Sequence, residues 1–342
     1  MSKIPLEKLF FSKTRDFLDL FLAGQCSRSS HTIKAYRDAL TIFRKYVVHE
    51  RNHSLKTFRF SDCSRDFTLD YLEYLQHQGL SFNTCNHRLA ALKSYLWYVA
   101  DGDIAVQQIA LIVSRVPFLK VPDKVKHILP DHCVAAILSA PENTKIGIRD
   151  TAIMILLYDT AMRLSELLNL KLEDIVLDTP TPYVRIHGKG NKKRIVSITD
   201  KTIGHLKYYI GKYHNATPKG NDFLFYTVIH NKRHRMSPGN VERLINKYAD
   251  LIRSNTPEMP SKVYPHMFRR TRATNLYQSD VSLELVSRIL GHSSTQTTRL
   301  YASPSLEMLK NAMDKNPYTI SHEEQALWID DETELAKMCG LR

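Results

Sequence analysis

The segment LGHSSTQTTRLYA, residues 290–302, places His292 just after a glycine and Tyr301 nine residues later. Either Ser294 or Thr295 can cap a short helix that carries the tyrosine. The nine-residue step from His292 to Tyr301 is therefore filled by one chain reversal and about two turns of helix. We expect the imidazole and the phenol to project toward a common point.

The residues upstream of this segment predict two further helices. Ser282 is a plausible cap for the helix LELVSRIL, and Gly291 suits its left-handed end. Before it, YPHMFRRTRATNLY starts a helix in which Pro265 fits the first turn. His266 and Arg269 lie three residues apart and would share one helix face. Such a pair could bind a phosphate, although this spacing also occurs by chance.

The middle of the chain predicts buried helices followed by a hairpin. The stretch IRDTAIMILLYDTAMRLSELLNLKLEDI indicates two helices broken near Thr160, and the first is apolar nearly all round. In YVRIHGKGNKKRIVSIT, apolar and polar residues alternate on both sides of GKGN, which is typical of a β-hairpin. The predicted inward residues are Val184 and Ile186 before the turn, and Ile195, with Ile198 as a further candidate, after it.

The first third of the chain predicts amphipathic helices with basic polar faces. They cover SHTIKAYRDALTIFRKYV, where Ser29 or Ser30 could cap, and FNTCNHRLAALKSYLWYVA, where Asn83 or Thr84 could cap. A basic helix face is usually solvated surface, so these faces indicate either ordinary surface or a surface that binds a partner. Three prolines in residues 116–130, VPFLKVPDKVKHILP, indicate a linker between two domains.

Charge and composition favour a nucleic-acid partner inside the cell. Of the 342 residues, 48 are Lys or Arg and 35 are Asp or Glu, which gives a net charge of +13. Residues 321–342 oppose this trend with six acidic and two basic residues. The five cysteines show no paired spacing, and no apolar run reaches the ~20 residues of a membrane span. We expect a cytoplasmic protein with no membrane partner.

Several classes of enzyme are disfavoured by missing motifs. The sequence contains no G-x-x-x-x-G-K-[ST] phosphate-binding loop, which argues against a nucleotide triphosphatase. It contains no H-E-x-x-H and no cluster of Cys and His, which argues against a metal hydrolase.

Four separated blocks, AMRLSELLNL, GKGNKKR, HMFRRTRAT and LGHSSTQTTRLY, together resemble the catalytic domain of the tyrosine recombinases, which include phage-type integrases and Xer-type recombinases. The first third resembles the family's core-binding domain. The resemblance implies a mainly α protein with a small β-sheet, forming a C-shaped clamp on DNA. It implies an all-helical, SAM-like core-binding domain over residues 1–115, the linker 116–130, a mixed α+β catalytic domain over 131–318, and an acidic tail over 319–342 that could dock on a neighbouring protomer.

The resemblance also assigns catalytic roles. It makes Tyr301 the nucleophile, Arg163 and Arg269 the phosphate-binding arginines, and His266 the general base. It makes His292 a further hydrogen-bond donor to the phosphate and Lys189 the acid for the leaving oxygen, with Lys192 and Lys193 as alternatives on the same hairpin. The expected DNA contacts are Lys34, Arg37, Asn83, Thr84, His87, Arg88, Lys93, Lys192, Lys193 and Arg270.

Flanking residues depart from the family pattern at three places. Ala161 and Met162 precede the first arginine where Gly-Leu or Gly-Met is frequent, Phe268 stands where leucine is common, and Arg270 stands where histidine is frequent. These departures favour an integrase or transposase of a mobile element over an Xer-like chromosome dimer resolvase. A topoisomerase of type IB and a catalytically silent DNA-binding accessory protein are the remaining alternatives.

The implied reaction cleaves and rejoins DNA through a 3′-phosphotyrosine, without ATP or metal. A phenol has a pKa near ~10 and attacks poorly unless a base takes its proton or positive charge stabilises its anion. Two planar guanidinium groups can bind both non-bridging phosphate oxygens. The implied assembly is a dimer on each recombination site of double-stranded DNA and a tetramer in the synapse.

Overall fold

The computed structural model describes residues 5–122, 128–188, 192–214, 220–292, 294–299, 304, 308, 310 and 332–340. The chain divides into two compact units, Met1–Val125 and Lys126–Arg342. Within the described ranges, no helix is long and apolar enough to cross a membrane.

The first unit is helical. Its α-helices are α1 (Ser30–Lys45), α2 (Arg65–His77), α3 (Phe82–Ala100) and α4 (Ile104–Ser114), with π-helical segments at Asp16–Gln25 and Tyr46–Glu50 and 3₁₀ turns at Leu6–Lys8 and Phe60–Asp62. Side-chain caps set where the helices begin. Of the two predicted caps of α1, Ser29 is the one found. Its hydroxyl accepts from the backbone N–H of Thr32 at 3.3 Å.

The cap of α3 differs from the prediction. The hydroxyl of Ser81 accepts from the backbone N–H of Thr84 at 3.3 Å, so the helix begins at Phe82. Asn83 and Thr84, the predicted caps, already lie in the first turn. Their prediction as caps was wrong because Ser81 reaches the third N–H of the helix, which is the usual capping geometry.

An aromatic cluster forms the core of the first unit. Phe10, Phe43 and Tyr95 are at most 1% exposed, and the ring of Phe10 lies 5.2 Å from that of Phe43 and 5.4 Å from that of Tyr95. The Tyr95 hydroxyl donates to the Phe10 carbonyl, so its buried polar atom is satisfied. Helix α3 packs on this cluster through apolar residues at three-to-four spacing, namely Leu89, Leu92, Leu96 and Val99.

The second unit combines helices with two small antiparallel sheets, which confirms the predicted mainly α fold with a minor β component. Its elements are α5 (Asp131–Ser139), α6 (Lys145–Thr160), α7 (Leu164–Asn169), β1 (Ile175–Val176), β2 (Tyr183–His187), β3 (Lys193–Ser197), α8 (Asp200–Tyr213), β4 (Tyr226–Ile229), β5 (Lys232–Arg235), α9 (Pro238–Ile252), α10 (Pro265–Gln278), α11 (Leu283–Leu290), α12 (Thr295–Arg299) and α13 (Glu332–Met338), with 3₁₀ turns at Leu172–Asp174 and Arg253–Asn255. The sheets are ordered β1-β2-β3 and β4-β5.

Helix α6 lies at the centre of the second unit. Ile153, Met154 and Leu157 are at most 1% exposed, in agreement with the predicted burial of this helix. The helix ends at Thr160, as predicted. Ala161 follows in a left-handed conformation with φ +49°, and the chain turns there before α7 begins.

The predicted hairpin forms, but one inward residue was predicted wrongly. Strands β2 and β3 pair so that Val184 faces Val196, and Val184, Ile186, Val196 and Ile198 are all buried. Ile195 is 65% exposed. Side chains alternate across a strand, and the pairing of Val184 with Val196 turns the even-numbered residues of β3 inward.

The predicted helix ends around the motifs are confirmed. Pro265 opens α10, and the Ser282 hydroxyl accepts from the Leu285 backbone N–H at 3.3 Å at the start of α11. Gly291 ends α11 at φ +65°. The short helix α12 begins at Thr295. Of residues 304–317, PSLEMLKNAMDKNP, the structure describes 304, 308 and 310, and the acidic end contains α13.

Candidate active site

Arg269 is a buried guanidinium held by three acceptors. It is 1% exposed, so its charge must be compensated inside the protein. Its Nη1 donates to the Ala161 carbonyl at 2.7 Å, and its Nη2 donates to the Leu290 carbonyl at 2.7 Å. Arg269 on α10 therefore connects the turn after α6 with the end of α11, and both contacts fix the plane of the guanidinium.

His292 lies against this arginine. Arg269 Nη2 is 2.9 Å from His292 Nε2, and His292 Nδ1 is 2.8 Å from Thr298 Oγ1. A guanidinium can only donate, so Nε2 accepts. Burial first, and then the positive charges of Arg269, Arg163 and Arg194, lower the pKa of His292 to about 4. Without a phosphate the ring is therefore neutral at physiological pH, and Nε2 accepts from Arg269.

Arg163 belongs to a second group, in which two guanidinium groups and one backbone N–H share the carboxylate of Glu166. Arg163 Nη1 donates to Glu166 Oε1 at 2.9 Å, and its backbone N–H donates to Oε2 at 2.8 Å. Arg194 donates to the same two oxygens at 3.1 and 2.8 Å. Burial by itself raises the pKa of Glu166, but the hydrogen bonds from Arg194 and Arg163 outweigh it and leave this pKa below its usual value.

The side chain of Arg194 also joins this group to the end of α11. Its Nε donates to the Ile289 carbonyl at 2.9 Å. Gly291 leaves room for it, since a Cβ added there would lie 2.8 Å from Arg194 Nη1 and 3.0 Å from Arg194 Cδ. The left-handed backbone and the close guanidinium both call for glycine at this position.

The site has an excess of positive charge. Arg163 and Arg194 bind the carboxylate of Glu166, and Arg269 adds a third guanidinium beside the neutral His292. Arg163 keeps 41% of its side chain exposed, so it can meet a ligand. His266, on the first turn of α10, is exposed, and its charge also acts on His292. Such an arrangement can bind a phosphate and stabilise charge that develops on it.

Two of the six predicted catalytic residues, Lys189 and Tyr301, lie outside the described residues. The flanking residues of the Lys189 turn are described: the Gly188 N–H donates to the Lys192 carbonyl at 2.7 Å. Lys192 and Lys193, the alternatives to Lys189, are exposed on this hairpin. Among the described residues, no group of three or more His, Cys, Asp or Glu could hold a metal ion.

Most of the predicted DNA contacts are accessible. The side chains of Arg88, Thr84 and Arg270 are half-buried, while the exposed ones are Lys34, Arg37, Asn83, His87, Lys192 and Lys193. Arg37 forms a 3.0 Å ion pair with Asp19, so part of its charge is met within the protein.

Lys93 differs from the prediction. Its Nζ donates to the carbonyls of Ser114 and Val116 at 3.0 and 2.6 Å and lies 4.4 Å from the centre of the Phe118 ring. Burial lowers the pKa of Lys93. These contacts argue against Lys93 as a DNA contact, because its ammonium already satisfies carbonyls at the end of α4 and just beyond it.

Three residues of the site were missed from the sequence. Glu166 lies three residues after Arg163, a spacing that fits a carboxylate returning to the start of its helix. Arg194 is the last residue of the GKGNKKR block, in which the resemblance assigned a role only to the lysines. Thr298 is fully buried on a short polar helix, and nothing in TQTTR distinguishes it from Thr297.

Matches to family models agree with this geometry. The model described as "Phage integrase family" matches residues 128–308, and the model described as "Phage integrase, N-terminal SAM-like domain" matches residues 16–101. The chain therefore belongs to the phage integrase family, the tyrosine-type site-specific recombinases. The resemblance inferred from the four sequence blocks is confirmed.

Individual relatives show how far this similarity extends. The chain is 30% identical to "Tyrosine recombinase XerC" of Thermodesulfovibrio yellowstonii, over 87% of this chain and 93% of the relative. In fold, it is similar to the XerH site-specific recombinase bound to a palindromic difH substrate, with a TM-score of 0.66, 22% identity, and coverage of 83% and 79% of the two chains. It is equally similar to the Tn1549 transposon integrase in complex with transposon right end DNA, with a TM-score of 0.66, 17% identity, and coverage of 92% and 99%.

Proposed function

We propose that the chain is a cytoplasmic integrase or transposase of a mobile element, which cleaves and rejoins DNA through a 3′-phosphotyrosine. The observation that carries this proposal is the buried, doubly anchored guanidinium of Arg269 beside His292, with Arg163 in the same positive cluster. A guanidinium fixed by backbone carbonyls is already oriented for a phosphate, so little reorganisation is needed when charge develops.

In the proposed reaction, the Tyr301 phenolic oxygen attacks the scissile phosphorus and the 5′ oxygen of the next nucleotide leaves. His266 takes the phenolic proton, and Lys189, or Lys192 or Lys193 in its place, supplies a proton to the leaving oxygen. Arg163 and Arg269 bind the non-bridging oxygens, and His292 supports them. One phosphodiester replaces another, so the step needs no ATP, and a 5′-hydroxyl of a second duplex reverses it.

The charge for which a phosphoryl-transfer enzyme often uses magnesium is here supplied by side chains. The pair Arg163 and Arg194 on one carboxylate, together with Arg269 beside His292, supports a reaction without a metal or other cofactor. Its positive charge would be met by the phosphate itself.

We further propose that residues 1–115 and 131–318 act as a core-binding domain and a catalytic domain, joined by 116–130, and close around duplex DNA as a C-shaped clamp. The DNA complexes named for XerH and the Tn1549 integrase support DNA as the partner. A dimer on each site would form a tetramer in the synapse, in which the tail 319–342 docks on a neighbouring protomer. The DNA contacts would be the predicted set without Lys93.

An Xer-like chromosome dimer resolvase is the second candidate, and its support is the 30% identity to a XerC recombinase. The two candidates act on different DNA. A mobile-element enzyme should exchange strands at the ends of an element, whereas a resolvase should recombine two copies of one chromosomal site. Incubation of the protein with each pair of sites on one plasmid, followed by sequencing of the junctions, separates them.

The test of the chemistry uses a nicked suicide duplex that carries the cognate site. The parent protein should form a covalent protein–DNA product, and Tyr301→Phe should form none. A product from Tyr301→Phe would show that another residue is the nucleophile. A parent that binds the duplex without forming a product would favour a silent accessory protein, and relaxation of a plasmid by a monomer without synapsis would favour a type IB topoisomerase.

A further inference from the structure

The hydroxyl of Thr298 is a buried polar group that faces the phosphate site. Thr298 is fully buried on α12, and its Oγ1 lies 2.8 Å from His292 Nδ1. Of the other α12 residues, Thr295, Gln296, Thr297 and Arg299 are all exposed. The helix thus turns one hydroxyl inward, and that hydroxyl meets the histidine.

The hydrogen bonds on the two ring nitrogens define the tautomer of His292. Arg269 Nη2 can only donate, so His292 Nε2 carries no proton in this state. The neutral ring must then carry its proton on Nδ1, and the Thr298 hydroxyl accepts it. Both nitrogens are satisfied only in this arrangement.

We propose that Thr298 is a positioning residue, whose hydroxyl accepts from His292 Nδ1–H, keeps the ring oriented with Nε2 directed at Arg269, and thereby ties α12 to the phosphate site. This inference rests on the proposed function, because the value of a fixed Nε2 is realised when a phosphate enters. When Nε2 takes up a proton, it becomes a donor to a phosphate oxygen while Nδ1–H stays on Thr298. One ring can therefore serve both states without turning.

The contact between Thr298 and His292 matters for the reaction because α12 lies next to the proposed nucleophile in sequence. The helix ends at Arg299, two residues before the proposed nucleophile Tyr301. The Thr298 hydroxyl is thus the described contact that joins this helix to the ring, and Arg269 joins the ring to α10. The charged and titratable groups acting on the ring are Arg269 and His266 of α10, Arg163 before α7, and Arg194 of β3.

Thr298→Val removes the hydroxyl at nearly constant volume, and Thr298→Ser keeps it. Thr297→Val is the matched control, since it makes the same change one residue earlier on an exposed side chain. In ¹⁵N-histidine-labelled, DNA-free protein, the parent and Thr298→Ser should show His292 with its proton on Nδ1. In Thr298→Val, Arg269 still donates to Nε2, so the proton should stay on Nδ1 but lose its hydrogen-bond acceptor, and the Nδ1 and ring-proton shifts should move away from those of the parent. The signal is assigned by its loss in His292→Gln.

The same variants are then compared on the nicked suicide duplex across a pH series. Thr298→Val should slow single-turnover cleavage about tenfold, the value of one side-chain hydrogen bond in the transition state, and should move the acidic limb of the pH profile. Thr298→Ser should restore both, and Thr297→Val should match the parent.

The outcomes separate the two proposals. A parent that forms no covalent product contradicts the proposed function. A parent that forms product while Thr298→Val matches Thr297→Val in rate and pH profile contradicts the inference alone. If Thr298→Val does not fold, the tautomer of the parent decides, because a proton found on Nε2 overturns the inference.

Discussion

His292 is a neutral imidazole in a cluster of cations, and keeping it neutral lowers the stability of the folded protein in acid. Its pKa is lowered to about 4, first by burial and then by Arg269, Arg163 and Arg194. The unfolded chain binds a proton at the ordinary histidine pKa of ~6.5, so between these two values it holds more protons than the folded protein. Protonation therefore favours unfolding in that window.

We expect the His292 contribution to stability to be constant above pH ~6.5 and to fall as the pH drops toward about 4. An NMR titration of the His292 ring should give a midpoint near 4 in DNA-free protein. Addition of a phosphate-bearing ligand should raise this midpoint, because an anion stabilises the imidazolium. A DNA-free midpoint at or above 6.5 would contradict the buried, arginine-flanked environment.

At the same scale, the sequence predicted which ionisable residues converge but not how their hydrogen bonds are arranged. Arg163, His266, Arg269 and His292 could be chosen from their spacing and from the resemblance. Glu166 and Arg194 become partners only when α7 and β3 pack together, 28 residues apart in sequence. The partners of Lys93 were hidden for the same reason, since the carbonyls it binds, those of Ser114 and Val116, lie 21 and 23 residues away, at and just after the end of α4.

Gly291 shows how a single element boundary supports the site. It ends α11 at φ +65°, where an alanine costs about 1 kcal/mol in backbone energy. It also faces Arg194, whose guanidinium is held by Glu166 and cannot move without losing those bonds. Gly291 is therefore needed both for the end of α11 and for the space that Arg194 occupies beside Glu166.

Gly291→Ala should destabilise its unit by more than the backbone term alone, by about 2 kcal/mol or more in total. Gly79→Ala is the control, since Gly79 has φ +72° and nothing within 4 Å of an added Cβ. Chemical denaturation that resolves each unit measures both changes. Equal losses in the two variants would mean that Arg194 gives way without cost.

Element boundaries were predictable where a local signal exists. Ser282, Pro265 and Gly291 mark helix ends through caps and backbone preference, and these ends are found. The two residues of β1 are too few to show alternation, and KRHR in β5 has no apolar residue to show it. Ile195 was assigned inward because alternation alone does not fix which face of a strand is buried; the pairing with β2 does.

The whole chain carries a net charge of +13, and the distribution of that charge matters more than its sum. Lys34 is exposed on α1, whereas Lys93 donates to two carbonyls beside Phe118. Only an ammonium that faces solvent can replace counterions on DNA. Composition alone counts both lysines equally, so it overstates the charge available for binding.

Affinity for duplex DNA of random sequence should fall by about 10³-fold or more between 50 and 200 mM salt if six phosphates are neutralised. Lys34→Met should reduce the slope of log affinity against log salt by about 1. Lys93→Met should leave the slope unchanged. Fluorescence anisotropy at several salt concentrations measures all three proteins, and an equal loss of slope in both variants would restore Lys93 as a DNA contact.

The left-handed turn at Ala161 has a consequence for how the molecule fails under stress. Its carbonyl accepts from Arg269, and its methyl group packs in a small apolar cluster with Ala273, Val286 and Leu290. Fraying of this one turn would remove one of the three acceptors that orient the guanidinium while most of the unit stays folded. On heating, DNA cleavage activity should therefore be lost at a lower temperature than the one at which the unit unfolds.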